Sequence, residues 1–341
     1  MNLDAYDYQL PQALIATEPA KPRDQSRLLV TSTLNFDFQD RQFHELPRFL
    51  RPGDTLVLNQ TKVIPARLEG RDRSGRTYEL FLLEPVESRK SSWTCLVKPG
   101  KKMRKLTGPR ITVGGTEIEI ESKDDHFIAH FPMDEDGLLQ FLDLNGETPL
   151  PPYIKRSTTT HDRETYQTVF AKHPGSVAAP TAGLHFTPNL IHELETMGVE
   201  LQFVTLHVGY GTFGPVRENL DEHVMHQERY EISEKTYHAL TKAKNDPNRR
   251  MIAVGTTALR ALESIPLHGL KGKTQLFIRP GYQLKWVDGL ITNFHLPKST
   301  LLILVSAILG MDKTKQAYQH AVEKKYRFYS YGDAMLIPPA N

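Results

Sequence analysis

Residues Thr187–Val208, TPNLIHELETMGVELQFVTLHV, spell out one helix followed by one strand. Thr187 then Pro188 is a start signal. The hydroxyl accepts an amide that the first helical turn leaves unpaired, and the missing N–H of proline costs nothing there. Leu190, Ile191, Leu194 and Met197 recur at helical spacing, and Gly198 closes the helix. Val199–Val208 then reads as a buried strand. The unit repeats downstream. Ser233 caps a helix running to Lys244, Met251–Val254 is a strand and Thr256–Ser264 a helix. Leu276–Ile278 and Leu290–Phe294 read as strands, Ser299–Leu309 and Lys313–Lys325 as helices. This alternation predicts an α/β domain on largely parallel strands, with ligands beyond the carboxyl ends of those strands.

Upstream the texture differs. From about Thr55 to Phe131 the apolar runs are short and rich in β-branched and aromatic residues. They are Leu56–Leu58, Tyr78–Leu83, Trp93–Val97, Ile111–Val113, Ile118–Ile120 and His126–Phe131, separated by Gly, Asp, Ser and Pro clusters. Closely spaced strands without helical periodicity predict a small barrel or sandwich. No solenoid repeat or low-complexity tract interrupts the chain. Its 341 residues fit two domains. The single cysteine, Cys95, excludes an intramolecular disulfide and fits a reducing, cytoplasmic setting. Met1–Leu10 is polar, with Asp4 and Asp7, and predicts no signal peptide. The longest apolar run, Leu301–Leu309, is too short to span a bilayer. A net charge of only +2 means that any nucleic acid is held by a local basic patch.

Four loops carry the candidate chemistry. Gly209–Gly214 (GYGTFG) follows the strand ending at Val208 and matches a dinucleotide-binding spacing, but Pro215 follows at once and no tidy βαβ unit surrounds it. The other functional reading is a loop whose amides and Tyr210 approach a ligand closely. Pro180–Thr187 (PTAGLHFT), Gly255–Thr257 and Asn293–Thr300 (NFHLPKST) each set a hydroxyl residue where a helix begins. Capping alone explains one such loop; free amides at a helix start also bind carboxylate or phosphate. His185, His207, His223, His226 and His295 fall in or near these loops, and neutral histidine is the usual general base. Glu222-His223-x-x-His226 lacks the order of a known metal motif, so no metal is expected. Finally, Lys98-Pro99-Gly100-Lys101-Lys102-Met103-Arg104-Lys105 is a basic loop between strands, either a solvated hairpin tip or a contact for RNA phosphates.

Longer strings are more specific. Tyr6–Pro11 (YDYQLP), Ile15–Pro19 (IATEP), Pro22–Val30 (PRDQSRLLV), Pro180–Thr187, His207–Phe213 (HVGYGTF), Val254–Arg260 (VGTTALR), Thr292–Leu301 (TNFHLPKSTL) and Tyr326–Met335 (YRFYSYGDAM) occur in that order. Together they resemble the S-adenosylmethionine:tRNA ribosyltransferase-isomerase family. The resemblance implies a discontinuous α/β barrel-like catalytic domain, residues 1–63 and 151–341, with a small all-β barrel inserted at 64–150. It implies ribosyl transfer and isomerisation from S-adenosylmethionine to 7-aminomethyl-7-deazaguanine at a tRNA wobble position, giving epoxyqueuosine-tRNA, adenine and methionine. S-adenosylmethionine is then a consumed substrate, no cofactor or metal is needed, and a cytoplasmic monomer without membrane contact is expected.

Within those strings the chemistry picks candidates. The sulfonium acidifies the C5′ hydrogens, so a base is needed near pH 7: His185 or His295 as base or acid, with His207 orienting the ribose. Tyr210 and Phe294 would wall the sulfonium and adenine, unless they are core residues. Thr181, Thr256, Thr257, Arg260, Lys298 and Ser299 would bind substrate, the last five at the methionine carboxylate. Asp24 and Asp333 would read the base edge. Arg23, Lys98, Lys101, Lys102, Arg104, Lys105 and Arg327 would meet tRNA phosphate. Two rival readings stay open: a nicotinamide-dependent oxidoreductase resting on Gly209–Gly214, and a non-catalytic RNA-binding module resting on Lys98–Lys105.

Overall fold

A computed structural model describes residues 3–32, 37–87, 89–106, 108–209, 220 and 223–339. In chain order the strands are β1 (Arg27–Val30), β2 (Gln39–Gln42), β3 (Thr55–Asn59), β4 (Thr61–Val63), β5 (Arg67–Arg71) and β6 (Thr77–Val86). Next come β7 (Arg89–Lys98), β8 (Arg110–Val113), β9 (Thr116–Ser122), β10 (Phe127–His130), β11 (Gly146–Glu147) and β12 (His173–Ser176). The last six are β13 (Glu200–Leu206), β14 (Glu228–Glu231), β15 (Met251–Val254), β16 (Lys271–Thr274), β17 (Gly289–Asn293) and β18 (Ala334–Ile337). They fall into two compact units. One comprises Met1–Thr61, Thr168–His173 and Ala179–Asn341; the other, Lys62–Gln167 and Pro174–Ala178.

The larger unit is built on a nine-stranded mixed sheet, order β16-β14-β13-β3-β15-β17-β18-β1-β2. Its centre is parallel: β13, β3, β15 and β17 run together, while β18 and β1 run the other way. β3, β15 and β17 are buried at every residue, as strands covered on both faces must be. This corrects the grouping of Leu56–Leu58 with the small β-module: the run is β3, central in the parallel sheet, and its unbroken apolar sequence fits that place better than an alternating barrel strand. The edge β2 (Gln39-Asp40-Arg41-Gln42) is polar, which discourages pairing with another chain. The strand expected at Leu276–Ile278 is absent; β16 lies just before it.

Expected helices form with their expected caps. Thr187, Ser233 and Ser299 accept the amides of Leu190, Thr236 and Leu302 and open the helices Pro188–Thr196, Glu234–Lys244 and Thr300–Leu309. Thr256–His268 runs one turn past the expected Ser264 and is capped by Gly255 at φ 91°, without a side-chain cap.

The smaller unit is a closed antiparallel barrel, β5-β6-β7-β10-β9-β8, sealed where Arg71 of β5 faces Thr112 of β8. Gly70 permits the seam: a Cβ there would lie 2.3 Å from Ile111 Cγ2. β9 (TEIEIES) buries Ile118 and Ile120 and exposes Glu117, Glu119 and Glu121, the two-residue period of a strand with one wet face. Leu80, Tyr78, Trp93, Cys95 and Phe131 fill the core with the helix Glu135–Asn145 packed against it through Leu138 and Leu142. This unit runs past Leu150. The Asp162 carboxylate takes both Arg156 guanidinium nitrogens at 2.7 Å, and Arg163 donates to Asp143 O at 2.7 Å and Gly146 O at 2.6 Å, tying the later segment to that helix. Among the described residues no helix is long and apolar enough to cross a membrane.

Candidate active site

The carboxyl ends of the parallel strands and the start of β1 and β18 share one edge of the sheet, because Asn293 of β17 faces Ala334 and Leu28 does the same from the other side. Polar side chains gather there in two nests. In the first, Asn59 at the end of β3 donates to Leu206 O at 2.9 Å and Thr257 Oγ1 at 3.1 Å, while its oxygen accepts from the amides of Leu206 (3.0 Å) and Thr61 (3.1 Å). Thr61 Oγ1 in turn meets His207 Nδ1 at 2.9 Å. His207 stays half-buried, and burial, reinforced by the nearby Arg229 cation, pushes its pKa down to about 4. It is therefore a neutral imidazole at pH 7, and its Nε2 makes no hydrogen bond among the described residues.

In the second nest, His185 stacks on Phe43 with ring centroids 4.8 Å apart. Asn293 Nδ2, pinned by donation to Tyr329 O at 3.0 Å, lies 3.2 Å from His185 Nε2, which must accept. Nδ1 therefore carries the proton and donates to Ser26 Oγ at 2.7 Å. The nests are neighbours: a Cβ built on Gly255, just before Thr256, would lie 3.5 Å from Ala182, next to Thr181.

Several expected site residues are otherwise engaged. His185 has both nitrogens committed and is fully enclosed, with burial as the main cause of a pKa near 3; it holds Ser26 and Asn293 in place rather than standing open to substrate. His295 is likewise pushed to about 3 by burial, its Nε2 bonded to Thr292 Oγ1 at 2.8 Å. Phe294 is a core residue, wedged among Tyr318, Tyr326 and Phe328 at centroid distances of 5.1–5.4 Å. Lys298 spends its charge on Asp4 (2.8 Å) and Asp7 (3.1 Å), and Ser299 serves as a cap. Arg260 is buried in an ion pair with Glu228. The Asp333 oxygens accept from the amides of Arg27 (2.9 Å) and Arg327 (2.7 Å), which leaves it no free edge for a base.

The other candidates are placed as follows. Thr181 and Asp24 are partly exposed; Asp24 takes the Thr187 hydroxyl at 2.8 Å through one oxygen, and the other has no hydrogen bond among the described residues. Thr256 and Thr257 open a helix whose first amides have no side-chain cap. Arg23 is partly buried, and Arg327 donates to Glu18 O at 3.2 Å and lies 3.6 Å from Asp333. Tyr210 lies outside the described residues. The expected basic loop forms a helical turn, Gly100–Met103, anchored by buried Met103. Lys101, Lys102 and Lys105 project into solvent without partners among the described residues, whereas Lys98 reaches Glu79 at 3.7 Å and Arg104 lies over Phe127. No cluster of three metal-ligating side chains occurs among the described residues. Sequence reasoning passed over Asn59, Thr61, Ser26 and Asn293. The last two stood inside quoted strings, but their partners lie 159 and 108 residues away.

Comparison with known proteins agrees with this architecture. A profile of the family described as queuosine biosynthesis protein matches residues 3–337. The chain is 49% identical to the S-adenosylmethionine:tRNA ribosyltransferase-isomerase of Thermosynechococcus vestitus, over 99% of this chain and 96% of that protein. It is 48% identical to the Thermus thermophilus protein of the same name, over 98% and 99%. Among solved structures, an S-adenosylmethionine tRNA ribosyltransferase from Thermotoga maritima matches with a TM-score of 0.56 and 37% identity, over 98% of this chain and 99% of that one. The chain belongs to the queuosine biosynthesis protein family.

Proposed function

We propose that this protein transfers and isomerises the ribosyl group of S-adenosylmethionine onto 7-aminomethyl-7-deazaguanine at the wobble position of a tRNA, releasing adenine and methionine and leaving epoxyqueuosine-tRNA. The observation that carries the reading is the meeting of the family's motif loops at one sheet edge, through Asn59–Thr257, Thr61–His207 and Ser26–His185–Asn293.

Chemistry assigns the roles. The sulfonium stabilises negative charge at C5′, so the first requirement is a neutral base. His207 meets it, with Thr61 fixing one ring nitrogen and Nε2 left to take the proton. The first-turn amides of Thr256–Ala258, uncapped by a Gly255 side chain, suit the methionine carboxylate, aided by the positive end of a 13-residue helix. Asn59 holds Thr257 at that position. The second oxygen of Asp24 is an acceptor for the amino edge of a guanine-like base. Lys101, Lys102 and Lys105 supply the local positive charge that a molecule of net charge +2 needs to hold RNA. The protein acts as a monomer in the cytoplasm and uses no cofactor.

The test is release of adenine from S-adenosylmethionine, measured with and without precursor tRNA. Adenine should appear only with tRNA carrying the aminomethyl base. RNA binding without adenine would favour a binding module instead, and tight nicotinamide nucleotide binding an oxidoreductase.

A further inference from the structure

The antiparallel ladder between β13 and β14 sets Thr205 opposite Glu231 and Leu206 opposite Tyr230, and His207 N donates to Arg229 O at 2.9 Å. Continued in register, the ladder would turn the Gly209 amide onto Gln227. It donates instead to the Glu228 side chain, Oε1 at 3.2 Å. A carboxylate thus replaces the backbone acceptor at the point where the chain enters Gly209–Gly214. That carboxylate is held in turn. Its other oxygen pairs with Arg260 Nη1, both side chains being almost wholly buried. Arg260 Nε donates to Leu276 O at 3.1 Å. Arg260 stands one helical turn after Thr256, on the helix that Thr256 opens.

We propose that Glu228 and Arg260 form a positioning pair that fixes Gly209 relative to the Thr256 helix terminus, and so shapes an S-adenosylmethionine site at that terminus. Two charges taken out of water are a poor device for stability alone but a good one for geometry, since a guanidinium–carboxylate contact is directional. Among the described residues Arg260 Nη2 is buried without a partner, which a pair selected only for stability would not leave. The role in substrate binding rests on the functional reading above; the fixing of Gly209 does not.

Glu228→Gln keeps the shape and removes the charge that Arg260 holds. Hydrogen exchange of the Gly209 amide should accelerate about tenfold or more, with the β13 amides before it unchanged. The KM for S-adenosylmethionine should rise about tenfold to a hundredfold, with kcat and the KM for tRNA within about threefold of wild type. Arg260→Lys, which keeps the charge but loses the fork, should show the same pattern more weakly. Unchanged exchange at Gly209, or a fall in thermal stability with unchanged KM, overturns the proposal. If neither variant folds, wild-type exchange decides: the Gly209 amide must be strongly protected, and a freely exchanging one overturns it. Adenine release by the wild type is measured first. If it fails, the functional reading falls, and the exchange data still judge the Gly209 anchor.

Discussion

The barrel and the sheet unit bury different things. Inside the barrel lie Tyr78, Leu80, Trp93, Ile111, Ile118 and Phe131, and most charges of its unit stand on the wet face of strands such as β9, with Asp162, buried against Arg156, as an exception. The sheet unit has an apolar core too, around Leu56, Leu58, Phe186 and Ile252, yet it also encloses Ser26, Asn59, His185, Thr257, Glu228, Arg260 and Asn293. Most of these are hydrogen-bonded, because a buried polar group without a partner is costly. A region that only has to hold its shape can be dry inside. One that handles a charged, polar substrate accepts polar burial and gains directionality.

The sharpest way to break this contrast is at His207. His207→Ala should cut turnover about 10²–10⁴-fold with melting temperature and S-adenosylmethionine binding nearly retained, as steady-state kinetics beside thermal denaturation would show. Undiminished turnover removes it as the base. The converse belongs to the barrel. Leu80 is wholly buried, and Leu80→Ala should cost about 2–5 kcal/mol in urea unfolding while kcat per folded molecule stays near wild type.

Acid should separate the units. Free histidine titrates near 6.5, but burial holds His185 and His295 near 3. Between those values the unfolded chain binds more protons, so stability of the sheet unit should fall as pH drops below about 6.5, by up to about 1.4 kcal/mol per pH unit for each histidine. In the barrel unit, the hydrogen bonds from Arg156 are the first cause holding Asp162 near 2 against an ordinary 3.8. That contribution is present above about pH 4 and is lost only as pH falls towards 2. The two tryptophans report separately, Trp93 from the barrel and Trp286 from the sheet unit. In single-tryptophan variants the Trp286 signal should change first; coincident transitions would refute the difference.

The smallest effect is at the basic turn. Replacing Lys101, Lys102 and Lys105 by alanine should raise the KM for tRNA and lower its salt dependence by up to about three in the log–log slope, with the KM for S-adenosylmethionine unmoved. An unaltered slope would place RNA elsewhere.

Much of this was legible in the chain because its causes are local. Thr187, Ser233 and Ser299 cap helices by bonding amides three residues away, and the exact match of Met251–Val254 to β15 follows from four apolar residues in a row. The family strings marked the loops that meet at the sheet edge. Less legible was β5, Arg67–Arg71, whose charges obscure its alternation, and the helix Glu135–Asn145, which hides behind an acidic start.

Sequence by itself determined the two textures, the helix starts and the family. Tertiary structure decided which polar residues are free. Lys298, Arg260 and Asp333 look like ligand-binding groups in their strings, yet Asp4, Glu228 and the Arg27 amide, each 32 or more residues away, already engage them. The same distance effect locks His185 between Ser26 and Asn293 and leaves His207 Nε2 without a partner among the described residues. Availability of a side chain depends on partners brought near by folding, and local sequence carries no record of them.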